Sequence, residues 1–397
     1  MDFNADLAKK ICAERSPRDR AHYFEGRRKE LAAIRSGLAA ATEVSASIFR
    51  IIQGPPGCGK TSLAFHAGQS LGEDAAFIPV RHAHLKGDGP LLNRIQSVAE
   101  RIPGKAYAAA AKWAAASAAK FAGQPLSEKL GLAAEKAALK GLSLLIHVDE
   151  AHSLPDQALE TLKDLHIGGV GEGEHVPTVI LLTGLQHSRF HLASHPGLTR
   201  CGDEATYDLG PLTAEECCAS TGRMLSDLLP EPSPNSISTA LAEASSNLSF
   251  GHPRHLLSAQ QAICDELLRV NGSLSDVADS NIESACAQKR NHYYRFRLTE
   301  VTRDPLHLRA IQRVLVQLAT DSIPGGFGHI LHMVQEELSE TGPIPPTKKE
   351  VRKIAQNIIA RGIIQRENDL WAVAIPSMAS WAEDMLDPVN PATAPSP

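Results

Sequence analysis

A chain of 397 residues is too long for one ordinary hydrophobic core, and its length predicts two or three domains. Lys and Arg total 40 against 45 Asp and Glu, which excludes a whole-chain basic signature of nucleic-acid binding, so any basic surface is expected to be local. The seven cysteines show no C-x-x-C spacing typical of zinc sites, and no apolar run reaches the ~18 residues of a membrane span. With only 5% aromatic residues and abundant Ala and Leu, the composition favours a helix-rich α/β protein. The scattered cysteines favour the reducing cytoplasm.

The first informative stretch is GPPGCGKTS, which lies between a strand-like run at 48–53 and a helix-like run at 62–71. It fits the phosphate-binding pattern G-x-x-x-x-G-K-[ST]. Glycines let backbone N–H groups turn toward phosphate oxygens, the lysine meets the β and γ phosphates, and the threonine hydroxyl is a Mg²⁺ ligand. The predicted ATP contacts are Gly54, Pro55, Pro56, Gly57, Cys58, Gly59, Lys60, Thr61 and Ser62.

Residues 143–154, SLLIHVDEAHSL, predict a buried strand that ends in two adjacent carboxylates. Asp149 is expected to join Thr61 in holding Mg²⁺, and Glu150 to orient or deprotonate the attacking water. Adjacent carboxylates after an apolar run are often only a strand meeting a solvated turn. Their combination with the phosphate loop is what predicts a Mg²⁺-dependent ATPase.

Three further stretches predict strands, at residues 75–80, 178–183 and 204–210. Alternating strands and helices indicate an α/β fold with a parallel sheet and the nucleotide at the carboxyl ends of the strands. Thr183 ends its strand and is a candidate polar sensor of the γ-phosphate. The plain alternative for Thr183 is a hydroxyl that ends a strand.

About ninety residues separate Lys60 from Asp149, more than a minimal core of this kind needs. The excess is an alanine-rich stretch over about residues 100–140, which is helical by propensity. Its lysines share one arc of a helical wheel. Both a DNA- or partner-facing insertion and a helical hairpin packed on the core, with snorkelling lysines, fit this pattern, so no site residue is assigned there.

Several motifs in this order resemble an AAA+ ATPase over about residues 20–300: YFEGRRKELAAI at 23–34, the phosphate loop, VDEAH, Thr183, LTRCGDEATYDLGPLT and FGHPRHLL. Within that superfamily they are most similar to the branch of origin-recognition-type initiators, TniB and TnsC transposition ATPases and ExeA-like ATPases. The resemblance implies a P-loop core with a five-stranded parallel sheet sandwiched by helices at 23–210, after an N-terminal segment at 1–22, and an all-α lid at 211–300.

The resemblance also implies roles for residues outside the phosphate loop. Gly26 and Arg27 match the box that wraps the adenine side of the nucleotide, and Arg254 matches the second sensor, an arginine that contacts the γ-phosphate of its own subunit. Arg200 matches the arginine finger that reaches a neighbour's nucleotide, and Arg189 competes for that role. A guanidinium suits these tasks because it is always charged and offers fork-shaped donors to phosphate.

Four helices are predicted in the lid, and the last one ends in QKRNHYYRFR. A basic and aromatic cluster of this kind suits contacts with phosphates and bases. Basic residues are equally typical of a helix C-terminus because of the helix dipole. The run therefore has two open interpretations.

From about residue 305 a new pattern begins, with helices near 306–319 and 328–339. Thr347 and Glu350 form an S/T-x-x-E capping box that begins a third helix, which runs to about Arg361 and ends before Gly362. Residues 363–376 predict a hairpin with its turn at 367–369. Three helices and a hairpin resemble a winged-helix domain at 301–386, followed by a flexible tail at 387–397.

The capped helix takes the recognition position of that domain. It carries Lys348, Lys349, Arg352 and Lys353 near its start, against the single acid Glu350. Basic residues there suit phosphate and groove contacts with DNA. Because many winged helices serve only as protein-contact modules, an exposed basic helix favours DNA binding and an occluded one favours a protein partner.

The motifs together predict a switch that uses ATP and Mg²⁺, forms a homo-oligomer with ATP, and acts on DNA in transposition, replication or defence. A protein partner such as a transposase, nuclease or other effector is expected, and no membrane. The alternative function is a signalling or scaffold ATPase, for example in phage defence, that recruits an effector without binding DNA. A translocating motor has the least support, because no pore-loop pattern of an aromatic flanked by small apolar residues is evident.

Overall fold

The computed structural model describes residues 3–13, 23–44, 47–71, 75–86, 90–91, 94, 143–167, 177–199, 206–229, 236–341 and 344–386. Contacts divide the chain into two compact units. The sheet unit is Arg15–Gly54 with Gly59–Gly210, and the helical unit is Met1–Glu14, Pro55–Cys58 and Pro211–Pro397. The predicted alanine-rich insertion at 100–140 and the predicted tail lie outside the described residues. The first helix, α1 (Ala5–Ala13), belongs to the helical unit.

The described part of the sheet unit alternates helices and strands. In chain order these are α2 (Arg28–Val44), β1 (Ser47–Gln53), α3 (Lys60–Ser70), β2 (Ala75–Val80), β3 (Ser143–Val148), α4 (Asp156–Ile167), β4 (Thr178–Gly184), α5 (Ser188–Ala193) and β5 (Thr206–Asp208). Every residue of β3 and β4 is buried, which is why both strands are near-continuous apolar runs.

The five strands form one parallel sheet in the order β2-β3-β4-β1-β5. Gln53 at the end of β1 pairs with Gly184 of β4 on one side and with Asp208 of β5 on the other. Because all strands run the same way, the segments that follow β1, β3 and β4 meet at one edge of the sheet. The prediction of a five-stranded parallel sheet flanked by helices is confirmed, although α3 begins at Lys60 rather than at Ser62.

The helical unit continues from α1 with helices and three short strands. They are α6 (Ala214–Leu228), α7 (Ser236–Ser249), α8 (Pro253–Arg269), α9 (Asp279–Thr299), α10 (Pro305–Thr320), β6 (Ile323–Pro324), α11 (Phe327–Thr341), α12 (Lys348–Ala360), β7 (Ile364–Glu367), β8 (Leu370–Val373) and α13 (Ser377–Leu386). The fourth lid helix was predicted to begin at Leu274, but Leu274–Asp276 forms a short 3₁₀ turn and α9 begins at Asp279. None of the described helices is both long and apolar enough to span a bilayer.

The last part of the helical unit has its own core. The strands β6, β8 and β7 form an antiparallel sheet in that order, and helices α10 to α13 pack with it around buried side chains such as Ile354 and Trp371. The hairpin turn lies at Asn368 and Asp369, whose positive φ angles of 46° and 65° suit a two-residue turn. The strand β6 and the helix α13 were not predicted. A two-residue strand carries no periodicity, and β6 exists because Ile323 pairs with Trp371.

The basic and aromatic residues at the end of α9 largely make contacts within the helical unit. Tyr294 is fully buried, and its hydroxyl shares a 2.6 Å hydrogen bond with that of Ser377 on α13. The ammonium of Lys289 lies 3.2 Å from a carboxylate oxygen of Asp265. These contacts favour a packing role for this run over a DNA-contact role.

Candidate functional site

The glycine-rich loop leads directly from β1 into α3. Gly59 is the N-cap of α3 with φ of 93°, a left-handed conformation that favours glycine over residues with a side chain. The ammonium of Lys60 donates a 2.9 Å hydrogen bond to the carbonyl of Gly54. The amide of Gly54 donates to the carbonyl of Gly184, which ties the loop to the end of β4. The predicted phosphate-binding lysine therefore lies across the start of its own loop.

Asp149, directly after β3, accepts hydrogen bonds from two other predicted site residues. The hydroxyl of Thr61 donates to its Oδ2 at 2.7 Å, and the hydroxyl of Thr183 donates to its Oδ1 at 2.7 Å. The backbone amide of Glu150 also donates to Oδ1, at 3.0 Å. Three strand and helix ends thus converge on one carboxylate.

Opposing effects set the charge of Asp149. Burial acts to raise the pKa of its carboxyl, whereas attraction to His147 and hydrogen bonds from Thr183, Thr61 and the Glu150 amide lower it. The lowering effects win, so the pKa lies below its ordinary value. Asp149 is therefore a carboxylate at neutral pH, the form that binds a divalent cation.

His147 is a site residue that the sequence analysis missed. It is buried on β3, and its Nε2 lies 2.9 Å from the hydroxyl oxygen of Thr183. Since that hydroxyl donates to Asp149, its oxygen accepts a hydrogen bond from the Nε2–H group of His147. Burial lowers the pKa of His147 to about 4, against the opposing attraction of Asp149, so the ring is neutral. A polar residue two positions before Asp149 in an apolar strand was the available signal, because alternate strand residues share a face. We call Thr61, His147, Asp149 and Thr183 the strand-end cluster.

Glu150 has a different environment from Asp149. Its backbone is left-handed, with φ of 57° and ψ of 40°, and 66% of its side chain is exposed. The Nε2 atom of His152, a second residue that the sequence analysis missed, lies 3.2 Å from Glu150 Oε2. A carboxylate that is accessible beside the strand-end cluster is suited to meet a water molecule.

Gly26 and Arg27 lie in the sheet unit, directly before α2. Both residues have positive φ angles, of 78° and 56°. Arg27 is buried, and its guanidinium donates a 2.6 Å hydrogen bond to the carbonyl of Gly210. Phe24 stacks on His66 of α3 with ring centroids 4.4 Å apart. The predicted adenine-side segment therefore contacts the helix that begins at the phosphate loop.

Within the helical unit, the loop tip Pro55–Cys58 lies beside the start of α8. His252 Nε2 lies 3.0 Å from the carbonyl oxygen of Pro56, and a Cβ on Gly57 would come within 2.8 Å of the His252 ring. The guanidinium of Arg254 lies 5.8 Å from the ring centre of Tyr293. The close approach explains why a glycine stands at the loop tip.

The predicted arginine finger has two candidates. Arg200 lies outside the described residues, so its role stays a prediction. Arg189 lies at the start of α5, where its guanidinium is 4.6 Å from the ring centre of Phe190.

The start of α12 presents the predicted basic face. Thr347 caps the helix, since its hydroxyl accepts from the Glu350 amide while the Glu350 carboxylate accepts from the Thr347 amide, which confirms the predicted capping box. The other Glu350 oxygen lies 2.8 Å from His307 Nε2 on α10. The four cations that we call the basic helix start are all exposed: Lys348, Lys349, Arg352 and Lys353.

Comparison with known proteins supports the fold that this geometry describes. Residues 46–190 match the family described as AAA domain. The ORC2 protein of Aeropyrum pernix, solved as ADPNP-ADP complexes, is similar with a TM-score of 0.60 and 14% identity over 97% of this chain and 98% of that one. The Walker-type ATPase PABY2304 of Pyrococcus abyssi is similar with a TM-score of 0.53 and 15% identity over 91% and 96% of the two chains. No curated protein sequence matches this chain significantly. The chain therefore has the P-loop AAA+ fold, and its residues 46–190 match an AAA domain.

Proposed function

We propose that this chain hydrolyses ATP with Mg²⁺ and that its nucleotide state controls self-assembly and DNA binding. The observation that carries the proposal is the convergence of Thr61 and Thr183 on the Asp149 carboxylate. A hydroxyl and an ionised carboxylate are oxygen ligands of the kind that Mg²⁺ prefers, so the donor set fits the metal. The two similar structures, one solved as ADPNP-ADP complexes and the other of a Walker-type ATPase, support the same chemistry.

Each residue of the site has a distinct task in this proposal. Lys60 and the backbone amides of the loop bind the β and γ phosphates. Thr61 and Asp149 hold Mg²⁺, which when bound would neutralise charge on the phosphate oxygens. Thr183 is the polar sensor of the γ-phosphate. The Glu150 carboxylate takes a proton from the attacking water as the water oxygen bonds to phosphorus and ADP leaves.

Other residues complete the nucleotide environment. Gly26 and Arg27 contact the adenine side, and Arg254 contacts the γ-phosphate of its own subunit. Either Arg200 or Arg189 reaches the nucleotide of a neighbouring subunit, so that ATP promotes assembly and hydrolysis releases it. A permanently charged guanidinium is suited to stabilise charge on the transferred phosphoryl group.

We assign residues 301–386 to a winged-helix domain that binds DNA through α12. The order of the helices, the strand β6 and the hairpin support this assignment. The exposure of the basic helix start favours contact with DNA over an occluded contact with a protein. A protein partner, such as a transposase, nuclease or other effector, would read the assembled state. The scaffold function without DNA binding is the alternative outcome of the experiment.

The test is DNA binding by the Glu150→Gln protein with ATP and with ADP, across a salt series, together with its mass in solution. We expect assembly and salt-sensitive DNA binding with ATP only. The Lys60→Ala protein is the matched control, because it should bind no nucleotide and show neither response. Assembly without DNA binding would instead favour the scaffold function.

A further inference from the structure

His152 connects the exposed Glu150 to the end of the neighbouring strand. It lies in the 3₁₀ turn Ala151–Ser153 that directly follows Glu150. One ring nitrogen, Nε2, lies 3.2 Å from Glu150 Oε2. The other, Nδ1, accepts a 3.3 Å hydrogen bond from the backbone amide of Leu185, the residue after β4.

The Leu185 contact assigns the tautomer of His152. A backbone amide only donates, so Nδ1 carries no proton, and in a neutral imidazole the proton then lies on Nε2. Burial is the main cause that lowers the pKa of His152 to about 4, with further lowering by His187 and Lys60, so the ring is neutral at pH 7. Nε2–H therefore donates to the Glu150 carboxylate as a neutral hydrogen-bond donor.

The two partners differ in how firmly they are held. The His152 side chain is 12% exposed, whereas that of Glu150 is 66% exposed. An exposed glutamate samples many rotamers, and a donor fixed by packing reduces that freedom. Leu185 comes two residues after Thr183, so the same hydrogen-bonded path ends directly after the strand that carries the candidate phosphate sensor.

We propose that His152 is a positioning residue, which orients the Glu150 carboxylate toward the attacking water and couples the position of that carboxylate to the end of β4. The inference rests on the proposed role of Glu150 in activating water. His152 does not touch the nucleotide in this proposal. Its removal is expected to slow the chemical step and to leave ATP binding intact, because misplacing a general base costs rate rather than affinity.

Two substitutions of His152 test its ring nitrogens separately, Nε2 as the donor to Glu150 and Nδ1 as the acceptor from the Leu185 amide. His152→Gln keeps an N–H group near the position of Nε2, whereas His152→Asn keeps only a group near the position of Nδ1. We expect His152→Asn to lower kcat about 10- to 100-fold, and His152→Gln to restore most of it, with ATP affinity within about twofold in both. Equal kcat in the wild type and in His152→Asn would overturn the proposal, as would an equal loss in both variants.

His195 supplies a matched control in the same unit. It is buried, and its Nε2 lies 3.2 Å from a carboxylate oxygen of Glu160, the same separation as between His152 and Glu150. His195→Asn removes a similar contact from a glutamate without a proposed role. We expect its kcat at a temperature below unfolding to stay at the wild-type value. A loss equal to that of His152→Asn would show a general effect on stability and overturn the proposal.

A double-mutant cycle with Glu150→Gln completes the test in single-turnover hydrolysis. If His152 acts through Glu150, adding His152→Asn to Glu150→Gln gives no further loss. A further loss equal to that in the wild-type background would overturn the positioning role. Normal hydrolysis by Glu150→Gln alone would instead refute the proposed function, whereas an inactive Glu150→Gln with a fully active His152→Asn would refute only the inference.

Discussion

Two threonines show how differently polar groups are used in the strand-end cluster and at the N-terminus of α12. Thr183 is fully buried, and its hydroxyl joins His147 to Asp149. Thr347 is exposed, and its hydroxyl accepts only from the backbone of its own helix among the contacts recorded for the described residues. Buried polar groups that hydrogen-bond to one another are held in one geometry, and catalysis requires such a fixed geometry. Exposed charges keep no such geometry and stay accessible to a partner.

The largest expected effect tests the chemical side of this comparison. Glu150→Gln should lower the hydrolysis rate by about 10²- to 10⁴-fold, because an amide does not accept the proton of water, while ATP still binds. Single-turnover phosphate release and equilibrium nucleotide titration measure the two effects. Glu283→Gln, an equal change at an exposed position of α9, should leave both unchanged. Normal turnover by Glu150→Gln would remove it from the proposed role.

Thr183→Val tests whether the strand-end cluster depends on mutual hydrogen bonding. Valine has nearly the same shape, but it leaves Nε2 of His147 without its acceptor and removes one donor to Asp149. We expect the free energy of unfolding of the sheet unit to fall by about 2–3 kcal/mol, the cost of orphaning buried polar groups. Denaturant unfolding measures it, and a loss no larger than that of Thr347→Ala would contradict the contrast between the two regions.

Acid titration separates buried from exposed polar residues. His255 is fully buried on α8, and burial, with the nearby His252 and Arg290, lowers its pKa to about 2. The unfolded chain takes up a proton near pH 6.5 and the folded chain does not, so folding loses stability as pH falls below that value. This loss should reach about 2 kcal/mol between pH 7 and pH 5.

The variant His255→Phe should remove that acid-dependent loss. Denaturant unfolding at pH 7 and pH 5 gives the difference for the variant and the wild type. His332→Phe is the matched control for the substitution itself, because it places a phenylalanine where the side chain is 79% exposed. An unchanged pH dependence in His255→Phe would show that burial of this ring does not depress its protonation.

Thr347→Ala removes the cap of α12, a purely local interaction. We expect a loss of about 1 kcal/mol in the free energy of unfolding, which is typical of an N-cap hydroxyl. ATP hydrolysis should not change. Thr299→Ala is the control, because its hydroxyl donates to a carbonyl within α9 and caps no helix start. Equal losses in the two variants would argue against a specific capping effect.

The smallest effect is expected from one exposed charge. Lys349→Gln should weaken DNA binding only a few-fold and reduce the slope of log affinity against log salt by about one. Lys289→Gln removes the same charge from a lysine that is paired with Asp265, so it should leave the slope unchanged. DNA titrations at several salt concentrations measure this slope. Equal slopes for Lys349→Gln and the wild type would count against contact between Lys349 and DNA.

Local patterns predicted much of the fold and part of the candidate site. The apolar runs of β1, β3 and β4, the glycine-rich loop and the Thr347–Glu350 cap each lie within a short stretch, so each was readable from neighbouring residues. The contacts of His147 and His152 were not readable in this way. His147 contacts a residue 36 positions away, and His152 accepts from an amide 33 positions away.

By itself, the sequence determined most of the described strands and helices, where α12 begins, and which residues are candidates for phosphate- and metal-binding chemistry. Hydrophobic periodicity, turn residues and caps act over a few residues, and that range sets these features. Only the tertiary structure decided that β4 lies between β3 and β1, that Thr61 meets Asp149 across 88 positions, and that Tyr294 is core. Strand order and burial depend on the simultaneous packing of distant segments, because an apolar face is stabilised only by what covers it.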